Sequence, residues 1–228
     1  MKLMKTLIHL LGIALTATLN TTSAMAFDSQ SNHFRALACG NGAWVAVDEH
    51  GRILASADKT GWSLPSTETM SSLYSVAFGN GGFVVVGNEG ALLSSVDGIH
   101  WAMQKSDTDE RLRSVSFGNG RFVAVGHGGT IITSKDGVSW SRRFSGTSER
   151  LQSVAFGNGR FVVVGWGGEI LTSSKGFAWT KQNCTAHPRL TSVRFENGLF
   201  IATDDQQNGM TSVNGKSWAG DAQRTASR

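Results

Sequence analysis

The side chains best suited to chemistry in this sequence lie in a series of short turns. Two carboxylates at a fixed separation could hydrolyse a glycosidic bond, and histidines from adjacent turns could meet at a metal ion. A tryptophan beside carboxylates and amides suits stacking on a sugar or contact with a peptide. The candidate residues are Asp48, Glu49, His50, Asn88, Glu89, His127, Trp166, Glu169, Asp205 and Gln206.

These turns recur because the sequence repeats every 39 residues. Five tryptophans keep this spacing, and so do four phenylalanines, with Cys39 in the first place of the phenylalanine series. A unit of this length cannot bury its own apolar face, so neighbouring units must stack. The copies span about 34–72, 73–111, 112–150, 151–189 and 190–222.

Each copy contains four short apolar segments separated by turn residues. In the third copy, 114–117 alternates between serine and apolar residues, as in a half-buried strand. Asn119-Gly120 is typical of a tight hairpin turn, and 122–125 is the returning strand. Further turns at 126–129 and 135–137 separate a third and a fourth strand. The sequence therefore predicts an all-β fold, a five-bladed β-propeller of five 39-residue, four-stranded repeats.

In this arrangement the first strand of each copy lies next to the axis, where small serine and alanine side chains fit a narrow ring. The second residue of that strand differs between copies: Arg35, Tyr74, Arg113, Gln152 and Thr191. We expect these residues to surround the mouth of an axial channel, and solvated strand starts are the alternative. The turns between second and third strands and the links between copies form one face, here called the loop face. Its residues vary over a repeated frame, so we expect ligands to bind there.

The turn between the third and fourth strands carries the most specific motif, Ser-x-Asp-Gly-x-x-Trp. Its side-chain oxygens are expected to accept hydrogen bonds from backbone N–H groups across the turn, a structural role. Lys175 and Asn214 replace the aspartate in the last two copies, which argues against a metal site in each repeat. The motif residues are Ser56, Asp58, Trp62, Ser95, Asp97, Trp101, Ser134, Asp136, Trp140, Ser173, Trp179, Ser212, Asn214 and Trp218.

This motif resembles a shortened Asp-box, or BNR repeat, of bacterial propellers that include sialidase-like, lectin-like and photosystem-assembly-factor-like proteins. The resemblance covers 27–222 as a repeat and implies the propeller fold. It implies no single activity, because one fold carries many functions. The family's sialidases use an arginine triad with a Tyr/Glu pair on a six-bladed ring, whereas this chain has one tyrosine and five copies.

The N-terminal residues of the chain predict secretion. Residues 1–26 have a basic start, a short apolar stretch and the small-x-small pattern Ala24-Met25-Ala26, as in a signal peptide. We therefore expect a periplasmic or extracellular protein with its propeller at 27–222 and a tail at 223–228. Cys39 and Cys184 are expected on opposite faces, which disfavours a disulfide.

Composition excludes several classes. Without residues 1–26, 19 basic residues face 17 acidic ones, and the pairs Arg111/Arg113 and Arg142/Arg143 are interpreted as solvated edge charges, so nucleic-acid binding is not expected. The plentiful glycine and apolar residues indicate a turn-rich globular protein, not a disordered one. No second long apolar segment, phosphate-binding loop or metal-ligand spacing occurs, so we expect no membrane span, cofactor or metal.

The sequence favours a non-catalytic propeller that binds an envelope protein through its loop face, in a scaffold or assembly role. A carbohydrate-binding lectin, centred on Trp166, is the alternative. A glycoside hydrolase using Glu49, Glu89, Glu169 or Asp205 is the least favoured.

Overall fold

A computed structural model describes residues 34–48, 50, 52–56, 63–65, 69, 71–182 and 188–220. These residues form 19 strands in five antiparallel sheets and one 3-10 turn at Asn88–Gly90, which confirms the all-β class. The signal-peptide, tail, Glu49, Asp58, Trp62 and Cys184 predictions fall outside the described residues. Within the described part of the chain, no helix is long and apolar enough to cross a membrane.

Each sheet is a meander of strands in sequence order. The first sheet has three strands, which Ser63 extends through a bridge to Ala55, and the other four sheets have four strands each. The strands are β1 (Phe34–Gly40), β2 (Ala43–Asp48), β3 (Ile53–Ser56); β4 (Leu73–Gly79), β5 (Gly82–Gly87), β6 (Leu92–Ser95), β7 (Ala102–Met103); β8 (Leu112–Gly118), β9 (Arg121–Gly126), β10 (Ile131–Ser134), β11 (Ser141–Arg143); β12 (Leu151–Gly157), β13 (Arg160–Gly165), β14 (Ile170–Ser173), β15 (Thr180–Gln182); β16 (Leu190–Glu196), β17 (Leu199–Asp204), β18 (Gly209–Ser212) and β19 (Ala219–Gly220).

The first two strands of each sheet are joined by a two-residue turn, which is Asn-Gly in every copy. In the third sheet Gly118 pairs with Arg121 across Asn119 and Gly120, whose φ angles are 47° and 68°. Positive φ at both central residues matches the right-handed twist of a hairpin, and asparagine and glycine tolerate it best. The Asn119 side chain also donates hydrogen bonds to the carbonyls of Gly159 and Ser174, so this turn links its sheet to the next.

The sheets are held together by apolar residues that lie between them. Four separate clusters of buried residues occur, and each combines side chains from two successive sheets. Within each of the last four sheets, a phenylalanine of the first strand contacts a fully buried phenylalanine of the second, with ring centroids 4.7–4.9 Å apart. Tilted aromatic pairs of this kind add to the stabilisation that burial provides. The core of this molecule is therefore a series of interfaces between sheets.

The first strands lie side by side in the order β1, β4, β8, β12, β16. Their spacing is set by a glycine that ends each of the first four, because the first-strand phenylalanine of the next sheet lies on it. A Cβ atom on any of these glycines would overlap that ring. The pairs are Gly40 with Phe78, Gly79 with Phe117, Gly118 with Phe156, and Gly157 with Phe195. Among the described residues, no comparable contact joins β16 to β1.

The third turns are braced by side chains, in the manner that the sequence predicts. In the third sheet the Ser134 hydroxyl accepts a hydrogen bond from Gly137 N at 2.9 Å, and Asp136 Oδ1 accepts bonds from Val138 N and Ser139 N. Trp140 Nε1 donates to the Gly137 carbonyl, which fixes the ring beside the turn. The asparagine that replaces aspartate in the fifth sheet accepts the corresponding two backbone bonds.

Replacing Gly118 by alanine tests the close approach of two sheets. The added methyl group would collide with the Phe156 ring, which must then shift within a packed interface. We expect the free energy of unfolding to fall by about 1–3 kcal/mol, measured by urea denaturation. Gly220→Ala is the control, because a Cβ there meets no atom within 4 Å. Equal effects of the two substitutions would contradict this packing model.

Asp136→Asn tests the charge of the turn brace. Backbone hydrogen bonds from Ser139 and Val138 lower the pKa of Asp136 from 3.8 to about 2. The carboxylate therefore contributes stability that is fully present above pH 3.8 and is lost as the pH falls through about 2. Asparagine keeps the acceptor and lacks the charge, so the stability difference between wild type and variant should shrink across that window. Urea denaturation at a series of pH values measures it, and a difference that does not change with pH would refute this role.

Candidate functional site

The loop face contains the second turns together with the starts of the first strands. Backbone hydrogen bonds join the two: His127 N donates to the Arg111 carbonyl, Trp166 N to Arg150 and Asp205 N to Arg189. Each variable turn is thus fixed beside the residue that precedes a first strand. Among the candidate residues, Glu89, Asp205 and Gln206 are exposed, as is His50, whereas Asn88, His127 and Trp166 are half-buried. The side chain of Asp48 lies outside the description.

A cavity of about 540 Å³ runs along the first strands and is lined by residues from all five. Arg35, Tyr74, Arg113 and Gln152 line this cavity at the loop-face end of their strands. They contact one another around it. The guanidinium carbons of Arg35 and Arg113 lie 5.0 and 4.7 Å from the Tyr74 ring centroid, and Arg113 Nε donates to Gln152 Oε1 at 3.1 Å. These four residues form the mouth ring.

Every first strand has an irregularity at its mouth residue. In β8 the register with β9 shifts between Leu112 and Ser114, so that Arg113 is an extra residue in its strand. The other four first strands shift at the equivalent place. A bulge of this kind re-aims one side chain. In a regular strand the side chains alternate between two faces, and this alternation would point the mouth residues away from the cavity. The bulge explains why they line it instead.

Tyr74 is contacted by a third arginine. The guanidinium of Arg111 lies 5.5 Å from the ring centroid, and its Nε donates to Asn88 Oδ1 at 2.9 Å. A positive charge over an aromatic face is favourable, by about 0.5–2 kcal/mol depending on exposure. The asparagine of the second turn therefore orients an arginine over the only tyrosine of the chain.

Trp166 is held in a similar way. The guanidinium groups of Arg150 and Arg189 lie 4.4 and 5.0 Å from its ring centroid. Arg189 also forms a backbone bridge with Trp166 and lies 3.8 Å from the Asp205 carboxylate. The tryptophan is thus half-buried under two arginines, and its ring surface is partly covered.

Glu169 differs from the other candidate residues because its carboxylate is buried, with 3% of the residue exposed. Oε1 accepts hydrogen bonds from Lys181 Nζ at 2.7 Å and from Thr147 Oγ1 at 3.0 Å. Oε2 has no partner among the described residues. These contacts connect a second turn to the outer strand and to the preceding link, so Glu169 has a bracing role in this structure.

The electrostatic environment of His127 is positive. Burial lowers its pKa from 6.5, and the charges of Arg150, Arg111 and Arg113 lower it further. His127 is therefore a neutral imidazole at neutral pH. Among the described residues, no group of three or more His, Cys, Asp or Glu residues could hold a metal ion.

Most of this arginine cluster was not predicted from the sequence. Arg113 is half-buried against Tyr74, so its interpretation as a solvated edge charge is wrong. Five arginines surround the two aromatic rings beside the second turns, and one of them, Arg189, lies near a carboxylate, that of Asp205. A signal was present, since Arg111, Arg150 and Arg189 keep the 39-residue spacing and so occupy one place in three successive copies.

Comparison with known proteins shows the fold. No family model matches the chain, and a search of curated proteins finds no match. Among solved structures, YCF48 bound to a D1 peptide is similar with a TM-score of 0.64 and 18% identity, over 88% of this chain and 74% of that one. A nidogen/laminin complex has a TM-score of 0.61 and 12% identity, over 78% and 74% of the two chains. The WD40 propeller domain of Doa1 has a TM-score of 0.60 and 13% identity, over 82% and 67%. These neighbours show that the five stacked sheets are of the β-propeller type.

Proposed function

We propose that this chain is a secreted, non-catalytic, five-bladed β-propeller that binds a protein partner in the cell envelope through its loop face. The observation that carries the proposal is the concentration of arginines around two aromatic rings on that face. Secretion is supported by the signal-peptide pattern of residues 1–26.

Closure of the five sheets into a ring is supported by two residues that depart from the repeat, one at each side of the fifth interface. Four interfaces place a phenylalanine ring on a glycine. At the remaining interface the equivalent residues are Glu196, in place of glycine, and Cys39, in place of phenylalanine. The larger residue on one side is thus matched by a smaller one on the other. This pairing is expected if the fifth sheet packs on the first.

Leu37 supports the same closure. The equivalent valines Val76, Val115, Val154 and Val193 are buried against the preceding sheet, whereas Leu37 is half-buried. It therefore presents apolar surface where the fifth sheet would pack, and covering that surface stabilises the closed ring.

A double-mutant cycle tests closure. In a closed ring, Cys39→Phe places a ring against the Glu196 side chain and lowers stability, and adding Glu196→Gly restores the glycine–phenylalanine pair of the other interfaces. We expect the free energy of unfolding of the double variant to exceed the additive value by about 0.5–3 kcal/mol, measured by urea denaturation.

The single variants are the controls for this cycle. If the fifth and first sheets are apart, the two substitutions act independently and their effects on the free energy of unfolding add. Additivity would therefore contradict a closed five-bladed ring.

The chemistry of the loop face favours an acidic protein segment as its partner. Arginine and large aromatic residues contribute most often to binding energy in protein interfaces. Guanidinium groups bind carboxylates through paired hydrogen bonds, and Arg111 and Arg150 have no carboxylate partner among the described residues. Two of the similar solved structures are complexes with a peptide or a protein, which supports a binding role.

Lectin binding is the second candidate, since a tryptophan on a loop face can stack on a sugar. Two arginines already lie over the Trp166 ring, which leaves less of it for such stacking. A hydrolase is less favoured, because glycoside hydrolysis uses two carboxylates and the described residues that line the cavity include none. Loss of glycan-array binding in Trp166→Ala would favour the lectin.

Capture from an envelope fraction with the 27–228 protein as bait tests the proposal. We expect one protein to be retained, and its retention to fall at least about tenfold in Arg150→Ala/Arg189→Ala, because charge-assisted contacts are lost. Both arginines are exposed, so their truncation removes no buried apolar side chain. Raised salt should weaken the same interaction.

Lys135→Ala/Lys175→Ala is the matched control, because it removes two positive charges from exposed third turns, away from the loop face. Retention of the partner by this control, together with its loss in the arginine variant, is the expected pattern. Equal loss in both variants, or capture of no protein, would refute the proposed surface.

A further inference from the structure

The charged side chains that line the axial cavity are all positive. The charged residues among its described lining are Arg35, Arg113 and Arg194, and none is acidic. The rest of the lining is small, apolar or neutral polar, with serines and alanines at most of the narrow positions. A volume of about 540 Å³ is within the range of small-molecule sites, about 300–1,000 Å³.

Arg194 is an exception to the repeat. Its place in the first strand, predicted to hold small side chains, is occupied by Ala38, Ala77, Ser116 and Ala155 in the other copies. The side chain is largely buried, with 23% exposed, and its Nε lies 3.3 Å from Glu196 Oε2. That glutamate is exposed, and exposed ion pairs contribute little to stability because water screens them. Arg194 therefore retains guanidinium donors for another acceptor.

The mouth ring supplies positive charge at the loop-face end of the cavity. Burial lowers the pKa of Arg113, and the charges of Arg35 and Arg111 lower it further, whereas Tyr74 opposes this shift. Its Nε donor is satisfied by Gln152, a neutral group. A partly buried guanidinium among other guanidinium groups is costly unless an anion compensates it.

From this geometry we propose that the axial cavity binds a small organic polyanion, a molecule with two or more carboxylate or phosphate groups, between the mouth ring and Arg194. Arg194 lies three residues beyond Thr191, which occupies the mouth position in β16. This spacing corresponds to about 10 Å along a strand. Long arginine side chains from the two levels can reach the anionic groups of one small molecule. Arginine suits this role because its planar donors bind carboxylate and phosphate in pairs.

Arg150 and Arg189, the residues that test the partner surface, lie outside this cavity, whereas Arg113 belongs to both surfaces. The cavity lies along the first strands and is lined by them, whereas Arg150 and Arg189 lie over Trp166 in the links and turns. Ligand binding in the cavity can therefore be measured without the protein partner.

Isothermal titration calorimetry with citrate as the probe, at constant ionic strength, tests the proposal on the 27–228 protein. We expect a dissociation constant of about 1 mM or tighter and no heat from glycerol, which is neutral. Arg194→Ala should weaken citrate binding at least about tenfold, because its charge-assisted contacts are lost. Alanine occupies this place in three other copies, so the variant is expected to fold.

Arg113→Gln is the second variant, since Gln152 shows that the mouth ring accepts glutamine. It should also weaken citrate binding about tenfold. Arg150→Ala/Arg189→Ala should leave citrate binding unchanged while it lowers partner capture at least about tenfold, so the two proposals fail separately. Absence of citrate and inorganic phosphate binding to the wild type, or binding that both Arg113→Gln and Arg194→Ala leave intact, would overturn the proposal.

Discussion

The structure depends on one close contact, a phenylalanine ring lying on a glycine of the preceding sheet. A side chain at that glycine would hold the first strands apart, since even a Cβ atom overlaps the ring. The contact recurs at 39-residue intervals, so each sheet is placed on the previous one in the same manner. Because interiors are closely packed, this constraint fixes the spacing of the first strands and with it the width of the cavity that they line.

Because every sheet stacks on the previous one in the same way, the repeat also determines where the candidate functional side chains lie. A given place in the repeat occupies the same level in every sheet, so the residues at one place form a set of neighbouring side chains. The mouth ring is such a set, formed where a bulge in each first strand re-aims one residue. Arg111, Arg150 and Arg189 are another, in the links that precede first strands. The arginine cluster therefore results from a frame that brings equivalent residues of successive copies together.

Much of the fold could be predicted from the sequence, because alternation, Asn-Gly turns and a fixed period are local signals that the sheets obey. The candidate site could be predicted from the sequence only in part. The places of the four mouth-ring residues followed from the repeat alignment, but their mutual contacts depend on bulges and on side-chain reach between sheets. The sequence places Glu169 among the ligand-binding candidates because its turn is variable, whereas Lys181 and Thr147 hold its carboxylate in the interior. Burial of a charge depends on such distant partners, which periodicity does not reveal.

Residues that depart from the repeat fall into two kinds, those that the structure tolerates and those that change the charge of a site. The second kind indicates where function lies. In the third turns, Lys175 replaces aspartate while the Ser173 hydroxyl still accepts the Gly176 N–H bond, so the turn tolerates the change. Arg194 is another kind of departure, because a long charged side chain replaces alanine or serine in the narrow part of the cavity. The first change keeps the serine bond of the turn, although Trp179 Nε1 has no partner among the described residues. The second introduces a charge where the other four copies keep small neutral side chains, and an anionic ligand would compensate its cost.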